Sequence, residues 1–105
     1  MSAEISHPWP TPELQDLSET IASLRTPQEV ERFLRDLCTR SELEAMAHRW
    51  EVAQLLEQGL PYHEVARQAH ASTTTVTRVA QWLRHGEGGY TLALSRRRRR
   101  RARAG

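Results

Sequence analysis

Two short helical stretches separated by three residues constrain this chain more than any other feature. Tyr62 to Ala69 has a helical pattern, His70-Ala71-Ser72 interrupts it, and Thr73 to about Arg84 resumes it. That layout has the features of a helix-turn-helix, whose two helices cross at about 90–120° over a three- or four-residue turn. The crossing needs a small residue where the helices touch, and Ala66 supplies it. It needs inward apolar residues on both sides, and Val65, Ala69, Ala71, Val76 and Val79 stand at suitable offsets. Ser72 is a good N-cap for the second helix. The turn position held by His70 calls for φ > 0, which glycine adopts freely and histidine only with strain.

The second helix opens with Thr73-Thr74-Thr75. Three β-branched residues are mediocre helix formers, and a core has no use for three hydroxyls. Their placement makes sense if this helix start faces DNA. The free N–H groups and the helix dipole favour phosphate there, while threonine hydroxyls and methyls suit base edges. Thr73, Thr74 and Thr77 are expected on the outer face, with Ser72, Thr75 and Arg78 beside them. His63 and Arg67, from the preceding helix, are placed to reach the backbone. The competing reading is a solvated helical hairpin with polar threonines.

The rest of the chain also reads as helix. Leu14, Leu17, Ile21 and Leu24 form one apolar stripe from Pro12 onward. Thr26-Pro27-Gln28-Glu29 restarts a helix, with Thr26 as N-cap, Pro27 at N1 and Glu29 closing a capping box. Val30, Phe33, Leu34 and Leu37 make its buried face. A third start falls at Thr39 or at Ser41, the two signals being equivalent. Leu43, Met46, Ala47, Trp50, Ala53 and Leu55 or Leu56 line that helix, and Gly59 ends it as a C′ residue. Gly86, Gly88 and Gly89 stop the last long helix, and Tyr90 to Leu94 is either a short helix or an extended strap. No strand-like alternation, internal repeat or heptad run is present.

At 105 residues and 12.1 kDa, with 38% hydrophobic residues and a mean hydropathy of −0.68, the chain suits a small soluble protein. So short a chain gains considerably from a partner subunit. No membrane contact is expected, since no apolar run approaches the roughly 18 residues a spanning helix needs. The N-terminal stretch has no secretory pattern, and Cys38 is the sole cysteine, so a cytoplasmic protein is expected. Catalysis has little support: there is no Gly-rich phosphate loop and no placeable nucleophile–base pair. The histidines show no metal-ligand spacing, so no metal is expected.

The net charge of +2 hides a strong asymmetry, for all 15 basic residues are arginine. Residues 1–57 hold eleven acids and five arginines, whereas Arg96, Arg97, Arg98, Arg99, Arg100, Arg101 and Arg103 close the chain with no acid among them. Charge segregated this way suggests an acidic scaffold followed by a part that meets a polyanion. Residues 1–11 are expected as a disordered arm, 12–94 as a helical domain with the helix-turn-helix at about 62–84, and 95–105 as a disordered arginine tail. The tail would bind phosphate without sequence choice. The alternative function class is accordingly a non-specific DNA- or RNA-binding protein driven by that tail.

From about Leu24 to Leu94 the chain resembles the tryptophan-repressor superfamily, and within it the TrpR-related YerC/YecD type. The residues that carry the resemblance are Phe33 to Thr39, Arg49-Trp50-Glu51-Val52-Ala53, Tyr62 to Ala66, Ala71 to Val79, and Gly88-Gly89-Tyr90 with the apolar strap after it. The resemblance implies an all-α, Trp-repressor-like helical bundle forming an intertwined homodimer. Its two recognition helices would enter successive major grooves of double-stranded DNA about 34–36 Å apart. Such a dimer would act as a sequence-specific transcriptional regulator, a repressor reading a near-palindromic operator.

In the repressor that names the superfamily, two arginines and a threonine surround a tryptophan corepressor. Those positions fall on Arg49, Arg78 and Thr39. The glycine that makes room for the indole is Val79 here, and a serine near the ligand amino group is Trp82. Both replacements are larger and apolar, so the pocket is expected to be partly or wholly filled by the protein itself. Free tryptophan is therefore not expected as a cofactor; a constitutively ordered reading head or a different effector is. Arg78 also reads as a phosphate contact, and Arg49 as an ion-pair partner of Glu51 or its neighbours on the helix surface.

Overall fold

Threonine hydroxyls start the first two helices. In the computed structural model, which describes residues 8–104, α1 runs Pro12–Ser23 and α2 runs Pro27–Leu37. Thr11 Oγ1 accepts from the Leu14 amide at 3.2 Å, and Thr26 Oγ1 from the Glu29 amide at 3.1 Å. A proline follows each cap, where its missing N–H costs nothing. Glu29 departs from a standard capping box, because its carboxylate accepts from the amide of Arg25, one residue before the cap, at 2.8 Å. Part of the expected arm, residues 1–7, lies outside the described residues, as does Gly105; Pro8 to Pro10 are exposed and non-helical.

The helices α1 and α2 belong to one compact unit that ends at Arg40, and residues from Ser41 onward form a second. No residue of α1 or α2 is buried. Leu14, Leu17, Ile21, Leu24, Val30, Phe33 and Leu34 are half-buried, and Leu37, expected inside, is 52% exposed.

The second unit holds the body of α3 (Arg40–Glu57), then α4 (Tyr62–Ala69), α5 (Thr73–His85) and α6 (Gly89–Ala104). The start at Arg40 selects the earlier of the two candidate signals, the one at Thr39. Gly59, at φ +81°, closes α3 in the left-handed conformation that its lack of a Cβ permits. α4 and α5 pack most closely, and α6 lies against α5. Val52 and Ala53 of α3, Val65 and Ala69 of α4, and Val76 and Val79 of α5 make one buried cluster. Val52 is absent from the expected list, whereas Met46 and Ala47, expected inside, are exposed. No strand occurs among the described residues, so the all-α expectation holds.

The expected disordered tail from residue 95 is corrected. Tyr90 to Leu94 is the beginning of α6, and the helix runs on through the arginines to Ala104 without a break at Ser95. Leu94 is buried and Tyr90 stacks on Trp50, with ring centroids 6.4 Å apart and planes 4° from parallel. Past that anchor, arginine and alanine are among the strongest helix formers. Positive charge also suits the C-terminal end of the helix dipole. A run without apolar period can therefore propagate a helix nucleated by the residues before it.

Candidate nucleic-acid interface

The geometry of the α4–α5 crossing follows from its turn. His70 adopts φ 53°, ψ 45°, as the sequence requires of this position. The Ala71 amide donates to the Ala66 carbonyl at 2.9 Å, the closing bond of a Schellman motif with histidine in glycine's usual place. Ser72 then caps α5: its Oγ accepts from the Thr75 amide at 3.1 Å and donates to Thr75 Oγ1 at 3.1 Å. Two further contacts fix the crossing, neither visible in the motif. His48 Nε2 bonds the Ala69 carbonyl at 2.8 Å, tying α3 to the end of α4. The Arg84 guanidinium lies 5.8 Å from the centre of the Tyr62 ring, joining the end of α5 to the start of α4. His48 lies one helical turn before buried Val52, and that spacing is the signal by which it could have been found.

With Val76 and Val79 buried, the opposite face of α5 is turned outward. Thr73, Thr74, Thr77 and Arg78 are all exposed, as are Ser72 and, on α4, His63. Thr77 Oγ1 donates to the Thr73 carbonyl at 2.9 Å, which leaves its oxygen able to accept and its methyl outward. Thr75 stands apart: it is half-buried, its hydroxyl is held by Ser72, and it walls a cavity rather than the outer face. Arg67 is exposed but is turned onto Glu64, with Nε donating to Oε1 at 3.0 Å and NH2 to Oε2. Gln68 Nε2 donates to the same carboxylate at 2.7 Å. These hydrogen bonds, Arg67 foremost, hold the Glu64 pKa down at about 2, and Glu64 in turn raises that of Arg67. A phosphate would have to share Arg67 with Glu64.

A cavity of about 740 Å³ opens beside the reading face, walled by Arg49, Trp50, Arg78, Val79, Trp82 and Tyr90 among others. Arg49 and Arg78 thus line one cavity; Thr39 belongs to the first unit, and the cavity is walled entirely by the second. The expected filling by Val79 and Trp82 is not seen in this chain. Both form wall, and Trp82 remains 64% exposed. Its ring lies over Gly86, where a Cβ would stand 2.9 Å from Trp82 Cε3 and 2.4 Å from the Trp82 carbonyl oxygen.

The profile of the Trp repressor protein family matches residues 12–98. The chain belongs to the Trp repressor family. It is 42% identical over 84 residues to the uncharacterized protein YerC of Bacillus subtilis strain 168, a match that spans 80% of this chain and 81% of YerC. It superposes with a TM-score of 0.77 on the crystal structure of a TrpR-like protein from Eubacterium eligens ATCC 27750, at 33% identity over 83% of this chain and 90% of that one. A candidate Trp repressor from Staphylococcus aureus gives a TM-score of 0.77 and 34% identity, over 82% of this chain and 86% of that one. The Trp repressor family is a family of regulators and not of enzymes. No helix among the described residues is long and apolar enough to cross a membrane.

Proposed function

We propose that this protein is a DNA-binding transcriptional regulator that, as a homodimer, represses from a near-palindromic operator read by α5. The observation that carries the reading is the division of α5. Val76 and Val79 lock one face into the core, while Thr73, Thr74, Thr77 and Arg78 stand exposed on the other. Membership of the Trp repressor family supports the same reading. In it, Thr73, Thr74 and Thr77 contact base edges, Ser72 and the first amides of α5 receive phosphate, and Arg78 and His63 hold the backbone on either side. The homodimer is supported by α1 and α2, whose apolar stripes this chain does not enclose by itself.

The test is competition binding after in vitro selection of a site from random duplexes. The selected duplex should outcompete bulk DNA by about 10³ or more. Thr74→Ala or Thr77→Ala should cut that preference by about 5- to 150-fold while leaving bulk-DNA binding in place. A preference near one in the intact protein would favour a non-specific binder instead.

A further inference from the structure

The arginine segment is the second half of α6, and its charges are not equivalent. At 100° per residue, Leu94, Arg97, Arg98 and Arg101 share one side of α6. The environment agrees in part: Leu94 is buried, Arg97 is half-buried, and Arg98, though exposed, is ion-paired with Glu57 at the end of α3, while Arg101 is exposed. Arg96, Arg99, Arg100 and Arg103 occupy the opposite side, within an arc of about 100°. All four are exposed and together border a shallow cleft.

We propose that Arg96, Arg99, Arg100 and Arg103 form a second, sequence-independent site on α6 that grips the phosphate backbone of DNA flanking the operator. The inference rests on the regulator reading above for its choice of DNA, but on a separate helix and a separate set of side chains.

The dimensions fit. From Arg96 to Arg103 the helix rises about 10 Å, the length over which one strand of duplex presents about three phosphates. Like charges at i,i+3 and i,i+4 repel and weaken the free helix. Phosphates lying along the stripe would relieve that repulsion. Crowding is already felt on the inner side, where burial first, then Arg101 and Arg100, pull the Arg97 pKa down. Guanidinium suits the ligand because its planar fork bonds phosphate in two places at once. Beyond Leu94 the helix has no apolar face, which argues against a lipid surface as the occupant. Anchored at Tyr90, Leu94 and Arg98, the arm points its outer arginines away from the body.

The experiment compares two double variants that remove equal charge from the full-length protein. Arg99→Ala with Arg103→Ala strips the outer side; Arg97→Ala with Arg101→Ala strips the inner side. Alanine preserves helix propensity, and circular dichroism checks that each variant keeps its helix. Binding to a labelled random-sequence duplex is followed across a salt series. The outer variant should flatten the slope of log K against log salt by about 1.8 per bound protomer, two phosphates' worth. The inner variant should change it by less than half as much, and neither should alter the preferred site. Equal flattening by both would show that only total charge matters and would overturn the stripe. So would an outer variant that lost single-stranded RNA binding while keeping its duplex slope. Loss of site preference in the Thr74 and Thr77 variants tests the reading head alone, so either idea can fail without the other.

Discussion

His70 offers the sharpest test of the turn that aims α5. At φ 53°, ψ 45° it sits in the left-handed region, which costs a residue with a Cβ about 1–2 kcal/mol. Its backbone cannot relax, because the Ala71 amide is bound to the Ala66 carbonyl at 2.9 Å and Ser72 must begin capping α5 two residues later. His70→Gly removes the clash but gives the unfolded chain more freedom, a loss of about 0.5–1 kcal/mol. The difference favours glycine by about 0.5 kcal/mol, or about 2–4 °C in a domain of this size. The imidazole itself is exposed, so little packing is lost. His70→Ala is the control: it deletes the ring, keeps the Cβ, and should gain nothing. Both variants should be melted at one protein concentration, followed by circular dichroism, because association shifts the midpoint. A lower midpoint for His70→Gly would refute the strain argument. An equal gain from His70→Ala would place the effect in the ring and not in the backbone.

Other expectations follow from the same contacts. Val52 is wholly enclosed, so Val52→Ala should cost about 2 kcal/mol in transfer and cavity energy, seen as a lower urea midpoint at constant m. Glu64 has its folded pKa lowered from 4.5 to about 2; its ion pair therefore contributes above pH 4.5 and fades as pH falls towards 2. Glu64→Gln should flatten stability across that window, an effect kept small by solvent exposure of the pair, and an unchanged acid profile would remove the assigned role. Titration calorimetry with L-tryptophan should show no micromolar binding, because Val79 and Trp82, without filling the cavity, put apolar wall where the superfamily's namesake has a glycine and a serine near the ligand amino group; micromolar binding would overturn that expectation.

Much of this molecule is legible in its sequence, and the reasons are local. Thr26-Pro27, Ser72 and Gly59 declare helix ends through side-chain hydroxyls, a missing N–H and a missing Cβ, all of which act within a few residues. The turn at His70 was legible for the same reason. What could not be read depends on neighbours distant in sequence. Apolar residues are spread around α3, so its period does not say that Val52 is enclosed while Met46 and Ala47 face out. Thr75 and Thr74 are chemically alike, and only the packing of Val76 and Val79 turns one towards the cavity and the other outward. Arg67 reads as a free cation until Glu64 is seen to hold it. The arginine run looks unstructured in sequence because its low complexity hides any period, yet its intrinsic preference is helical and α6 runs through it.

The buried residues seen among the described ones are Val52, Ala53, Val65, Ala69, Val76, Val79, Ala80 and Leu94. None is aromatic, and only one is larger than valine. An interior so slight yields little free energy from a lone subunit, so if the protein works as the proposed homodimeric regulator its stability would rise with the number of copies present. Gene dosage would then set two quantities together: how much protein there is, and what fraction of it is folded well enough to occupy its site. Occupancy of the proposed operator would then steepen with expression level, whatever else tunes it.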